Sequence, residues 1–236
     1  NSITTATGLT TVGAGGTAST VAGIPFFSAD TSSIYTTDVS GTDDTATGNS
    51  AYGYQAMDAI TTGDSNSAFG HYALGANTTG ANNTAVGKSA MLVNTTGAEN
   101  VALGFAALDA NTTGNQNVAL GRSALTANTT ASDNIAVGYG AMDSNTTGTR
   151  NIAIGSAAYD HSDTENDNMA IGYNAMTENT AGGTLNIAIG NYAMDAHTSG
   201  DQNTAIGHNA LSANTTAENN TAVGVNALLT NDGSNN

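Results

Sequence analysis

The sequence predicts an all-β fold, a parallel β-solenoid or β-roll of eleven 17-residue coils, and three observations predict it. A cassette of asparagine, alanine, a hydrophobic residue and glycine recurs at Gly53, Gly70, Gly87, Gly104, Gly121, Gly138, Gly155, Gly172, Gly190, Gly207 and Gly224, every step being 17 residues except the 18 from Gly172 to Gly190. A repeat this short cannot bury a core alone, so it must stack on its neighbours. The residues before each glycine alternate as a strand does, and the residues after it carry turn chemistry. The apolar content is mostly alanine, with 5% aromatics and no Trp, which suits layers in close approach better than a deep globular core.

Residues 1–48 lack the cassette and are rich in Thr, Gly and Ser, with an apolar cluster at Ile24, Pro25, Phe26 and Phe27. A stack needs an atypical first segment, so this region reads as an N-terminal cap or connector. Residues 49–236 form the repeat unit, written N-x-A-Φ-G-x-x-A-Φ-x-x-N-T-T-G-x-x. The final repeat is incomplete, and the chain reads as processed or as a fragment.

In Asn151-Ile152-Ala153-Ile154-Gly155, Ile152 and Ile154 face one way and Ala153 the other, because side chains alternate along a strand. Alanine suits the thin interior of a small coil. The bulky face then needs cover, and another copy of the chain supplies it most simply. The leading asparagines, among them Asn83, Asn100, Asn117, Asn134 and Asn151, are expected to stack as an amide ladder. Gly87, Gly104, Gly121, Gly138 and Gly155 close the same structural frame. The N-T-T-G block reads as a turn, and the extra residue near Ala181-Gly182-Gly183 falls inside it, where insertions belong. A helical turn after each glycine is the competing reading, but 17 residues leave little room for it beside a strand and two turns. At the spacing of stacked strands, eleven coils make a rod on the order of 50 Å long.

Three basic residues (Lys88, Arg122, Arg150) against nineteen acidic ones give a net charge of −16, which argues against nucleic-acid partners and anionic membrane surfaces. No apolar run reaches the roughly 18 residues of a membrane span, so no membrane insertion is expected. Without cysteine there is no disulfide framework or thiolate metal site.

Candidate chemistry is sparse, and the expectation is a protein that is not an enzyme and has no catalytic residues or cofactor. His71, His161, His197 and His208 read as exposed polar substitutions rather than a cluster. Asp160, Asp163, Glu165 and Asp167 replace one N-T-T-G turn, where four carboxylates offer a candidate Ca²⁺ site beside the simpler reading of a solvated acidic loop. Asn77, Asn94, Asn111, Asn128, Asn145 and Asn214 each open an N-T-T sequon, for which turn chemistry already accounts. Rows of threonine raise an ice-binding solenoid as another class. Adjacent threonines in extended geometry face opposite ways, however, which argues against a flat array.

N-T-A-V-G (Asn83–Gly87), N-I-A-I-G (Asn151–Gly155 and Asn186–Gly190) and N-T-A-I-G (Asn203–Gly207) resemble the head repeats of trimeric autotransporter adhesins, and the longer unit resembles repeats of phage tail fibres. The resemblance covers residues 49–233. It implies a homotrimer, a virion-surface or cell-surface location outside the cell, and attachment as the role, with a cell-surface receptor or glycan as the partner. The adhesin-head unit is usually shorter than this one. The functional expectation is therefore a structural or attachment segment of an extracellular or virion fibre. The alternative is a self-assembling extracellular filament or matrix protein without a receptor.

Overall fold

The computed structural model describes residues 19–21, 24–26, 34–35, 45–179, 182–230 and 233–236. Strands β1 (Ser19–Val21) and β2 (Ile24–Phe26) pair antiparallel. Phe27 and most of the region read as a cap lie outside the described residues. Strand β3 (Ile34–Tyr35) starts the main sheet, so parallel pairing begins before the first cassette.

Strands β4 to β14 follow at Ser50–Tyr52, Ser67–Phe69, Thr84–Val86, Val101–Leu103, Val118–Leu120, Ile135–Val137, Ile152–Ile154, Met169–Ile171, Ile187–Ile189, Thr204–Ile206 and Thr221–Val223. With β3 they form one 12-stranded parallel sheet in strict sequence order. Equivalent residues stack without slip: Ala153 lies between Ala136 and Ala170, and Ile154 between Val137 and Ile171. The fold is thus an all-β parallel solenoid with 17-residue spacing and no helix among the described residues.

Strands β4 to β14 are only three residues long because the two neighbours of each leave the pleat. The asparagine before it turns inward, and the glycine after it adopts a φ that favours glycine. Gly121 has φ +141°, and a Cβ there would meet the Gly138 carbonyl oxygen at 2.3 Å. Both the backbone angle and the approach of the next coil exclude a side chain.

After the glycine the chain makes a tight bend. The second and fourth residues are left-handed, as in Tyr72 (φ +61°) and Leu74 (φ +52°), and so is the residue before each leading asparagine, as in Glu99 (φ +60°). Bulky residues seldom adopt this conformation, which costs about 1–2 kcal/mol each. Hydrogen bonds between coils hold it: Leu74 N–H donates to the Ala90 carbonyl at 3.0 Å, and Tyr72 N–H to the Tyr54 carbonyl at 2.9 Å.

The interior is narrow. The regular coils bury the strand alanine, the alanine after the glycine, and one Met or Leu (Met91, Leu108, Leu125, Met142). Two asparagines complete the layer, so the core is an apolar stack beside a polar one.

Candidate functional site

The polar stack consists of two ladders built in different ways. In the first, each leading asparagine accepts the backbone N–H of its equivalent one coil later: Asn100 to Asn83 at 3.0 Å, Asn117 to Asn100 at 2.9 Å, Asn134 to Asn117 at 3.1 Å and Asn151 to Asn134 at 2.9 Å. Each Nδ2 then donates across the coil to a turn carbonyl, as Asn134 does to Gly148 at 2.8 Å. The expected amide-to-amide bond is present at only some steps, such as Asn117 Nδ2 to Asn100 Oδ1 at 3.1 Å.

The second ladder uses the asparagine of N-T-T-G, which the sequence placed in a turn. Its Nδ2 donates to the previous coil's Oδ1: Asn94 to Asn77 and Asn111 to Asn94, both at 2.7 Å, Asn128 to Asn111 at 2.9 Å and Asn145 to Asn128 at 3.2 Å. These asparagines and Asn214 are fully buried. A glycan on any of the six sequons would disrupt the interior, so turn chemistry is not the whole account of N-T-T. The first threonine of each pair binds the next coil, as Thr95 Oγ1 does by donating to the Thr112 carbonyl at 3.0 Å. The second remains exposed and forms a single row through Thr79, Thr96, Thr113, Thr130 and Thr147.

The second ladder is interrupted at Ser162. Tyr159 occupies the neighbouring core position, and its hydroxyl takes over part of the missing amide's role. It accepts from Asn168 Nδ2 at 2.6 Å and Asn179 Nδ2 at 3.2 Å. Burial raises the Tyr159 hydroxyl well above its ordinary pKa, while its contact with Ser162 opposes the shift. Asn145 Oδ1, at the foot of the break, has no donor.

The four carboxylates proposed for a cation diverge. Glu165 turns inward and accepts from Ser162 Oγ, Asp163 N and Thr164 N, all at 3.1 Å, and from Gly182 N at 3.0 Å. Asp167 forms a two-pronged pair with Arg150, whose Nε and Nη2 donate at 2.6 and 2.8 Å. That pair lowers the Asp167 carboxyl and raises the guanidinium. Asp160 stands 3.9 Å from His161, its pKa raised by burial, and Asp163 is exposed. No group of acidic and histidine residues suited to a metal ion is found among the described residues.

Of the histidines, His71, His161 and His208 are exposed as expected. His197 corrects that reading. It is fully buried and stands in the second ladder, with Nε2 2.7 Å from the Gly200 carbonyl. Burial pushes its pKa down. The sequence carries the signal in its register, since His197 stands where other coils have asparagine. No helix among the described residues is long and apolar enough to cross a membrane.

The outer surface is sorted by row. The first and third strand residues point outward along the whole sheet, leaving Val101 37%, Leu103 48%, Ile154 39% and Ile206 39% exposed. Past the glycine runs a row in which Lys88 and Arg122 lie over Phe105 at 5.8 Å from its centroid, and Arg122 over Tyr139 at 5.6 Å. At its lower end His71 stacks on Tyr72 and lies tilted beside Tyr54, and further up Tyr192 meets Tyr173 and His208 edge-on. On the other side, a shallow depression of about 280 Å³ joins Arg150, Asp167 and Leu185 to the outward Ile152, Met169 and Ile187. None of the chain's carboxylates occupies an outward strand position or the row past the glycine.

Comparisons with protein-family models, curated proteins and solved structures return no match. The geometry alone describes what the rod can do. It offers a long apolar face, polar turns in register, and no converging set of reactive groups among the described residues.

Proposed function

We propose that this chain is a non-enzymatic structural and attachment segment of an extracellular or virion-surface fibre, and that it works as a homotrimer. One observation carries the reading. The interior is already filled by alanine, Met or Leu and the asparagine ladders, yet the third strand residue points outward and is apolar in every coil from Tyr52 to Val223, and from Val101 to Ile187 the first is apolar as well. Contiguous apolar surface running along a whole molecule marks an interaction site. A face that repeats with the coil fits best against another copy with the same repeat. The absence of carboxylates from this face lets a chain of net charge −16 associate without bringing like charges together.

Copies packed on this face form a stiff rod with polar turns outward. The exposed threonine row presents one hydroxyl per coil, so weak contacts to a surface receptor or glycan add through multivalency. Light scattering coupled to size exclusion tests the assembly. A mass of three chains is expected, and a folded monomer at micromolar concentration overturns the proposal.

A further inference from the structure

A repetitive face has a problem of register. From Val101 to Ile189 each coil presents nearly the same apolar pair, so two copies can slip by one coil and bury almost the same surface. The apolar face is bordered by two rows whose charges do not repeat every coil. Past the glycine the sequence reads Lys88, Phe105, Arg122, Tyr139. Before the leading asparagine it reads Glu99, Gln116, Asp133, Arg150, Asp167. Positive charge thus returns every second coil on one edge and negative charge every second coil on the other, where Arg150 stands between Asp133 and Asp167.

We propose that these edges set the orientation and axial register of neighbouring copies, with Lys88 of one copy meeting Glu99 of the next and Arg122 meeting Asp133. The inference rests on the self-association proposed above and adds the residues that specify it. All four side chains are exposed. Lys88 and Arg122 enter no ion pair among the described residues; both lie over the Phe105 ring, and Arg122 also over that of Tyr139. Glu99 accepts only a neutral bond, from Gln116 Nε2 at 3.1 Å, and Asp133 has no ion pair among the described residues.

Within each pair the residues are eleven positions apart, less than one coil, so equivalent atoms of aligned copies differ in height by on the order of 3 Å. Side chains of this length span that offset. In any parallel cyclic arrangement the cationic edge of one copy meets the acidic edge of the next. An antiparallel pair, face to face about a two-fold axis across the rod, brings like edges together and is disfavoured.

The same charges oppose slippage. A shift of one coil in one direction keeps Glu99 and Asp133 within about 2 Å of the height of Lys88 and Arg122, but it also brings Arg150 beside Arg122, a like-charged neighbour. The opposite shift leaves Lys88 between Ser65 and Asn82, with no charge to meet. A shift of two coils sets Lys88 against Asp133 but Arg122 against Asp167, which Arg150 already holds at 2.6 Å, or, the other way, sets Arg122 against Glu99 with Lys88 facing Ser65. Both cations meet Glu99 and Asp133 only in the aligned register and in the one displaced by a single coil, and Arg150 disfavours the displaced one.

Lys88 is the only lysine, which makes the contact readable by zero-length carbodiimide coupling of an amine to a carboxylate. Isotopically labelled and unlabelled chains are mixed, coupled and digested. A mixed-label Lys88–Glu99 isopeptide is expected. Coupling of Lys88 to another carboxylate, or to none in an assembled sample, overturns the register. Charge reversal gives a second reading. Lys88→Glu with Arg122→Glu, and separately Glu99→Lys with Asp133→Lys, should each raise the concentration for half-assembly about 10-fold or more. The fourfold variant should restore it, while Arg150→Gln should leave it unchanged. Loss without restoration, or no loss, refutes the charge pairing alone. A monomeric wild-type chain refutes the assembly itself.

Discussion

The coils from Asn83 to Gly148 and those from Asn151 to Gly200 share one backbone and differ inside it. In the first stretch, asparagine fills every second-ladder position and Leu or Met every large core position. In the second, the ladder reads Ser162, Asn179, His197, the core includes Tyr159, and one coil carries an extra residue. Strand register is nevertheless unbroken through both. The frame, set by glycines and backbone bonds between coils, is therefore stricter than the contents it encloses. The interior tolerates change where a second change compensates. The extra residue's turn shows this: Gly182 N–H donates to Glu165, while Asn168 and Asn179 both still reach a turn carbonyl, that of Gly183, at 2.9 Å.

The largest effect should come from the frame and be equal in both stretches. Gly121 (φ +141°) and Gly155 (φ +139°) each leave a Cβ at 2.3 Å from the next coil's carbonyl oxygen. Gly121→Val and Gly155→Val should each destabilise by roughly 3 kcal/mol or more, combining a glycine-only conformation with a backbone clash. Thermal melts by circular dichroism check this. A Gly155→Val variant much milder than Gly121→Val would show that the frame is also looser in the irregular stretch.

The next effect tests compensation by moving it. Asn111→Ser removes bonds at 2.7 and 3.0 Å and takes the acceptor from Asn128, so a loss of about 2–3 kcal/mol is expected. Leu108→Tyr alone overpacks the layer by about 1–3 kcal/mol. Together they recreate the Tyr159–Ser162 pairing, and the double variant should recover at least about 1 kcal/mol of the summed loss. Denaturant titrations of the four proteins close the cycle, and strict additivity would mean that Tyr159 and Ser162 are independent changes.

The strand stack, the inward alanine and the outward bulky face were legible because period 17 and the two-residue alternation each leave one arrangement. The left-handed bend was not. Leu74, Met91 and Leu108 at φ near +50° carry no glycine or asparagine to announce it, since bonds from the neighbouring coils override local preference. The second ladder was hidden for a related reason. Asn94 before Thr95-Thr96-Gly97 has the composition of a solvent-facing turn, and only stacking shows that its amide points inward. Glu165 was misleading as part of an acidic run, because the backbone N–H groups that draw it inward leave no trace in side-chain chemistry.

The smallest effect should be a gain, at the one ladder position held by histidine. His197 directs Nε2 to the Gly200 carbonyl and leaves Asn179 Oδ1 below it without a donor among the described residues. Asparagine in its place would supply both bonds, as Asn111 does for Asn94 and Gly114. His197→Asn should therefore stabilise the rod by about 1 kcal/mol at neutral pH. Burial lowers the His197 pKa below its ordinary 6.5, so the unfolded chain takes up the proton first. Stability linked to this group is then complete above pH 6.5 and falls as pH drops from there toward the lower folded-state value. The variant lacks that loss, and its advantage in Tm over the wild type should widen between pH 7 and pH 5. A gap that stays constant across this range would mean that the buried imidazole accepts its proton without disturbing the ladder.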